Sequence, residues 1–149
     1  MSEWHLGPLT ALIVVFVACS STPKADDPAA LEASATAHIL SIPPANAARY
    51  QGMADMKNWR NPYLIINTDS VALLDSDNHE EHLLKPEQLT QALANLPPSA
   101  WPYGRVVAVT ENGVRGSSND DVVKIRKVRA IVAGTLEDMH VAITWIPSA

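Results

Sequence analysis

The densest group of side chains able to do chemistry is the segment DSDNHEEH, which holds Asp75, Asp77, His79, Glu80, Glu81 and His82 within eight residues. Carboxylates and imidazoles ligate divalent metals and carry general acid–base catalysis. The spacing departs from the zinc-protease helix motif H-E-x-x-H, because the two histidines are three apart rather than four. On a strand, positions 79 and 82 would point to opposite faces. The simpler reading is a solvated hairpin turn. The alternative is a metal or acid/base site built from Asp75, Asp77, His79 and His82.

Three further groups could act at a surface. AWPYG, Ala100 to Gly104, sets Trp101 and Tyr103 either side of Pro102. Such rings either close the end of a hydrophobic core or form a platform on which a sugar or peptide stacks. KIRKVR, Lys124 to Arg129, is a basic run whose helical spacing puts Lys124 and Lys127 on one flank and Arg126 with Arg129 on another. A solvated amphipathic helix needs that pattern, and an anionic surface such as lipid head groups or wall polymers would also contact it. RGSSND is not G-x-S-x-G and follows no strand that could form a nucleophile elbow, so Ser117 and Ser118 read as loop and N-cap residues. No catalytic residue and no cofactor are expected from these patterns.

The elements that must position these groups follow from periodicity. YLIIN and VALLD are short apolar runs separated by the turn-like TDS, which predicts a hairpin, and HLL begins a brief third strand. PEQLTQALANL predicts a helix with Leu89, Ala92, Leu93 and Leu96 on one face, opened by Pro86 and stopped by Pro97-Pro98. GRVVAVT is rich in β-branched residues and predicts a strand ended by ENG. SSNDD caps a second helix whose apolar face is Val122, Ile125, Val128 and Val132, with Gly134 as its C-terminal stop. HVAITWI is the last strand. The order β-β-α-β-α-β predicts an α+β two-layer sandwich, a small mixed sheet with both helices on one face. The other face is expected to be partly solvated or covered by residues 42 to 60.

The chain has 149 residues, a formal net charge of −5 and one cysteine, with a pI of about 5.4. The acidic balance argues against general nucleic-acid binding, and one thiol allows no internal disulfide. The only cysteine closes LTALIVVFVA, Leu9 to Ala18, an uncharged run too short to span a bilayer and about the length of a signal-peptide core. A core strand or an uncleaved short anchor would also use such a run. Ala18-Cys19, followed by polar SSTP, resembles a bacterial lipoprotein signal, although Phe16 stands where Leu is usual and no Lys or Arg precedes the run. The resemblance implies a signal peptide at 1–18 and a lipidated Cys19, carrying acyl chains such as palmitate, as the first mature residue. Ser20 after the cysteine points to the outer rather than the inner membrane. Residues 19–55 then read as anchor and tether, mobile from 20 to about 50 and with a short helix over Pro28 to Leu40, ahead of a small α+β domain at 56–149.

The passage VVAVTENGVRGSSNDDVVKIRKVRAIVAGTLEDMHVAI runs from strand to helix to glycine to strand and resembles the periplasmic domain of the ExbD/TolR family. The likeness covers about Tyr63 to Ile146. That family couples inner-membrane proton flow to outer-membrane work through an aspartate in its membrane helix, and some members bind peptidoglycan. Gly7 to Ala18 has no carboxylate, so the resemblance implies the fold and proximity to the wall but not the motor role. The expected function is a lipid-anchored, non-catalytic interaction module of the cell envelope facing the periplasm. Its expected partners are the membrane and either peptidoglycan or an envelope protein, with Trp101, Tyr103, Lys124 and Lys127 as contact residues. The alternative is a small metal-dependent or acid/base enzyme using the Asp75–His82 cluster.

Overall fold

A computed structural model describes residues 27–53, 56–74, 80–113 and 117–147. Five strands form one mixed sheet in the order β3-β2-β1-β4-β5: β1 (Tyr63–Ile66), β2 (Val71–Leu74), β3 (Glu81–Leu84), β4 (Val106–Glu111) and β5 (Ala142–Trp145). The first three pair antiparallel, and β1, β4 and β5 pair parallel. Helices α1 (Pro28–Ser41), α2 (Leu89–Ala94) and α3 (Asn119–Asp138) complete an α+β fold. The mixed sheet with an antiparallel hairpin at one side follows from the connections. Thr68-Asp69 is short enough for a hairpin, with the Asn67 N–H donating to Ser70 O at 2.9 Å, whereas α3 supplies the crossover that a parallel pair needs.

β4 is the centre of the molecule. Its first four residues, Val106, Val107, Ala108 and Val109, are all shielded from solvent. A strand covered on both faces carries a continuous apolar run of this kind. Val107 and Val109 turn toward the helices, joined by Leu64 and Ile66 of β1, Leu89 and Leu93 of α2, and Ile125, Val128, Val132 and Leu136 of α3. Val106 and Ala108 turn the other way, against Trp59 and Tyr103 with Tyr50 and Met53 at the margin. Residues from the stretch between α1 and β1 therefore cover the second face, within the range expected to do so.

The short helix expected over Pro28 to Leu40 forms as α1, but it is docked rather than part of a mobile tether. Asp27 caps it by accepting from the Ala29 N–H at 3.1 Å, Pro28 occupies its first turn, and Pro43 ends it by holding Ile42 extended. Its sequence is mostly Ala, Ser and Thr, yet Ala35 and Ile39, one turn apart, are buried and Ile39 joins the main core beside α2. Residues 28–53, expected to be anchor and tether, are folded onto the domain. A helix needs few apolar residues when one isoleucine at the right turn reaches the core.

α3 also runs further than its sequence implies. Gly134 lies inside the helix, which continues to Asp138. Interior Gly costs about 1 kcal/mol relative to Ala, and burial of Leu136 and Met139 beyond it outweighs that. The stop falls at His140, whose φ of 54° is the left-handed conformation. The His140 N–H donates to Glu137 O and the Val141 N–H to Leu136 O, both at 2.9 Å, closing the helix with paired C-terminal bonds.

Two substitutions test this arrangement. Ile39→Ala should lower unfolding free energy by about 3 kcal/mol, measured by urea titration; an unchanged midpoint would return α1 to the status of a tether. Gly104 has a φ of 79°, and a Cβ there would lie 2.8 Å from Pro43 O and closer still to Pro44 O. Gly104→Ala should therefore cost about 2 kcal/mol or more, with thermal unfolding as the readout.

Candidate functional site

The expected contact residues separate into buried and exposed sets. Trp101 and Tyr103 retain only 4% and 8% of their accessible surface, so the aromatic loop offers no stacking platform, and that expectation is corrected. The cause is the turn leading into β4, where the Gly104 N–H donates to Trp101 O at 2.9 Å and Gly104 adopts a φ of 79°. Trp101 packs into the helix-side core and Tyr103 into the opposite cluster. Tyr103 lies against Trp59 with ring centroids 5.3 Å apart, Tyr50 meets Trp59 edge-on at 5.7 Å, and the Tyr103 hydroxyl donates to Asn58 O at 3.1 Å. The Trp101 Nε1 donor and Arg105 Nε and Nη1 are buried with no hydrogen-bond partner among the described residues.

Lys124 and Lys127 are exposed, as the amphipathic pattern implies, since Ile125 and Val128 beside them face the core. Ser118 positions this helix: its hydroxyl accepts from the Asp121 N–H at 3.2 Å and donates to the Asp121 carboxylate at 2.8 Å. Asp120 and Asp121 in the first turn favour the positive end of the helix dipole. The two lysines line a cleft of about 540 Å³ with Lys85, Thr68, Asp69 and Pro86-Glu87, the turn that precedes α2. Lys85 could not be found from sequence. It lies some forty positions before Lys124, at the entry to a different helix, and only the packing of α2 near α3 brings the three amines to one cleft.

The remaining cations of the basic run are not equivalent. Arg129 donates from Nη1 to Glu111 Oε1 at 2.8 Å, and its guanidinium carbon sits 4.2 Å from the Trp145 ring centroid. This joins α3 to the ends of β4 and β5. With Arg129 about half exposed, the ion pair contributes less than about 1 kcal/mol.

Of the acidic and histidine cluster, Asp75, Asp77 and His79 lie outside the described residues, and His82 is exposed in the edge strand β3. Among the described residues no three His, Cys, Asp or Glu side chains converge as a metal site would require. Cys19 and residues 1–18 also lie outside the described residues. No described helix is long and apolar enough to cross a membrane. Comparison with known proteins finds no matching family model, no matching curated protein and no matching solved structure.

The two sets of residues should respond differently to truncation. Trp101→Ala should destabilise by about 4 kcal/mol, whereas Lys124→Ala with Lys127→Ala should shift stability by no more than about 0.5 kcal/mol. Thermal melts of the two variants give the comparison; equal shifts would mean that Trp101 is not a core residue.

Proposed function

We propose that this chain is a lipid-anchored interaction module of the bacterial cell envelope, facing the periplasm and acting by binding rather than catalysis. The observation that carries the reading is the uncharged run Leu9 to Ala18 closed by the chain's single cysteine, Cys19. In this reading Cys19 becomes the acylated N-terminus of the mature chain. Each buried methylene contributes about 0.8 kcal/mol, so two or more acyl chains would hold the domain on a membrane. The lipid uses the one thiol, which then takes no part in a reaction.

Two further features support it. The strand and helix order resembles the ExbD/TolR periplasmic domain, which would place this chain near the cell wall without the proton-coupled role. The amines of Lys85, Lys124 and Lys127 are presented at an open cleft, where a partner with negative charge would meet them. Peptidoglycan or an envelope protein is the partner class.

Labelling with palmitate and intact-mass measurement test the anchor. Wild-type chain should carry label and the mass of a diacylglycerol at Cys19. Cys19→Ser should carry neither, and should be released from the membrane or keep residues 1–18. Undiminished label in that variant would overturn the proposal.

A further inference from the structure

The cleft that holds the three lysines is one end of a longer groove. It shares Pro86, Glu87 and Ile131 with a second cleft of about 550 Å³, bounded by α1, the start of α2 and the C-terminal half of α3. Along α3 the lining positions are 124, 127, 128 and 131 in the first cleft and 131, 135, 138 and 139 in the second. Steps of three and four through 124, 127 or 128, 131, 135 and 138 keep the groove on one stripe of the helix, with Met139 just past its end. From Lys124 to Asp138 that stripe extends about 21 Å at 1.5 Å per residue.

The charges along this groove are sorted. Lys85, Lys124 and Lys127, with Asp69, stand at one end, and Glu32 of α1 and Asp138 of α3 at the other. Glu87 and the aliphatic surfaces of Pro86 and Ile131 lie between them. None of the three lysines, nor Glu32 or Asp138, has an ion-pair partner among the described residues. Asp138 is in the last turn of α3, which contains no basic residue. The negative end of the helix dipole disfavours a carboxylate there, and a cation brought to Asp138 would relieve that repulsion. Leu31, also lining the groove, leaves half its side chain open to solvent.

We propose that this groove binds an extended peptide segment of a partner protein, acidic at the end beside Lys124 and Lys127, basic at the end beside Glu32 and Asp138, and apolar between. At about 3.3 Å per residue the groove takes six or seven residues. A flat anionic lipid surface fits less well, because the same stripe of α3 that offers lysines also carries Asp138, and the chain's net charge of −5 opposes it. The inference rests on the domain being a binding module, and not on the lipid at Cys19.

Selection from a displayed library of random heptapeptides tests it, using the detergent-solubilised full chain and its Cys19→Ser variant. Enriched peptides should carry acidic residues at one end, basic residues at the other and aliphatic residues between. Lys124→Glu with Lys127→Glu should replace the acidic preference by a basic one. Glu32→Lys with Asp138→Lys should replace the basic preference by an acidic one. All four positions are exposed, so both variants should stay folded, with the unfolding midpoint close to wild type and, where Asp138→Lys relieves the helix dipole, no lower. Affinity for the peptide selected by wild type should fall about tenfold or more in either variant. The proposal is overturned by a failure to enrich any charge pattern, or by preferences that neither pair of substitutions alters. It is equally overturned if the only binding that depends on Lys124 and Lys127 is to vesicles containing anionic phospholipid. Loss of lipid incorporation with intact peptide selection would defeat the anchor alone, and the reverse outcome would defeat the groove alone.

Discussion

At Gly104 the backbone entering β4 runs against Pro43 and Pro44 at a distance that leaves no room for a side chain. The Arg105 N–H donates to Pro43 O at 2.9 Å and the Asn46 N–H to Tyr103 O at 2.8 Å, so the chain leaving α1 is bonded to both sides of that glycine. Asn61, just before β1, brings a third segment to the crossing. Its amide nitrogen donates to Gly104 O and Val106 O, each at 2.7 Å, and its amide oxygen accepts from the Tyr103 N–H at 2.9 Å. It is the one polar residue among the described residues that is fully buried. An amide so enclosed is tolerated because its hydrogen bonds are made, and its removal would take one partner from each of three backbone groups, of which Gly104 O keeps the Val106 N–H at 2.8 Å.

That crossing settles which segments reach which side of the sheet. Pro43 and Pro44 cannot continue α1, and their bonding to Arg105 turns the following residues onto the face opposite the helices. There Tyr50, Trp59 and Tyr103 form a three-ring cluster over Val106 and Ala108. Arg49, next to Tyr50, donates to Pro102 O at 2.6 Å and fixes the same segment from its exposed side. α1 is left on the helix side with Ile39 directed into the core. A short sheet with one helical layer would otherwise leave β4 open to water on its second face. The aromatic cover allows four consecutive apolar residues in that strand.

Much of this architecture was legible because it depends on local period. The hairpin, α2, β4 and the apolar face of α3 each carry their signal in adjacent residues, and the mixed sheet follows from the lengths of the connections. What was not legible depends on contacts distant in sequence. The short helix at Pro28 to Leu40 was legible and α1 forms there, but its docking was not, because only Ala35 and Ile39 reach the core, too few for an amphipathic pattern to stand out. Gly134 has the composition of a helix end, but the burial of Leu136 carries α3 past it to His140. Trp101 and Tyr103 look alike as a loop pair, and the turn that holds them ahead of β4 sends them to opposite sides of the sheet. Of the cleft, Lys124 and Lys127 were visible as one flank of a helix, whereas Lys85 and the acidic end at Glu32 and Asp138 arise from the docking of three helices.

The contrast between Arg129 and the lysines bears on what the surface is for. A planar guanidinium can bond a carboxylate along its edge while its face rests on an aromatic ring, and Arg129 does both, between Glu111 and Trp145. Its charge is committed to holding α3 against the ends of β4 and β5. A lysine amine is a compact charge on a flexible stem, and it exchanges partners without disturbing the helix that bears it. Lys124 and Lys127 stand one turn apart on α3 with no ion pair among the described residues. Removing them would cost the fold little, because the face of the helix that holds α3 in place is Ile125, Val128, Val132 and Leu136. The charges that the fold uses and the charges that it leaves available are thus different residues on one helix, which lets the available ones be fitted to a partner without changing the core.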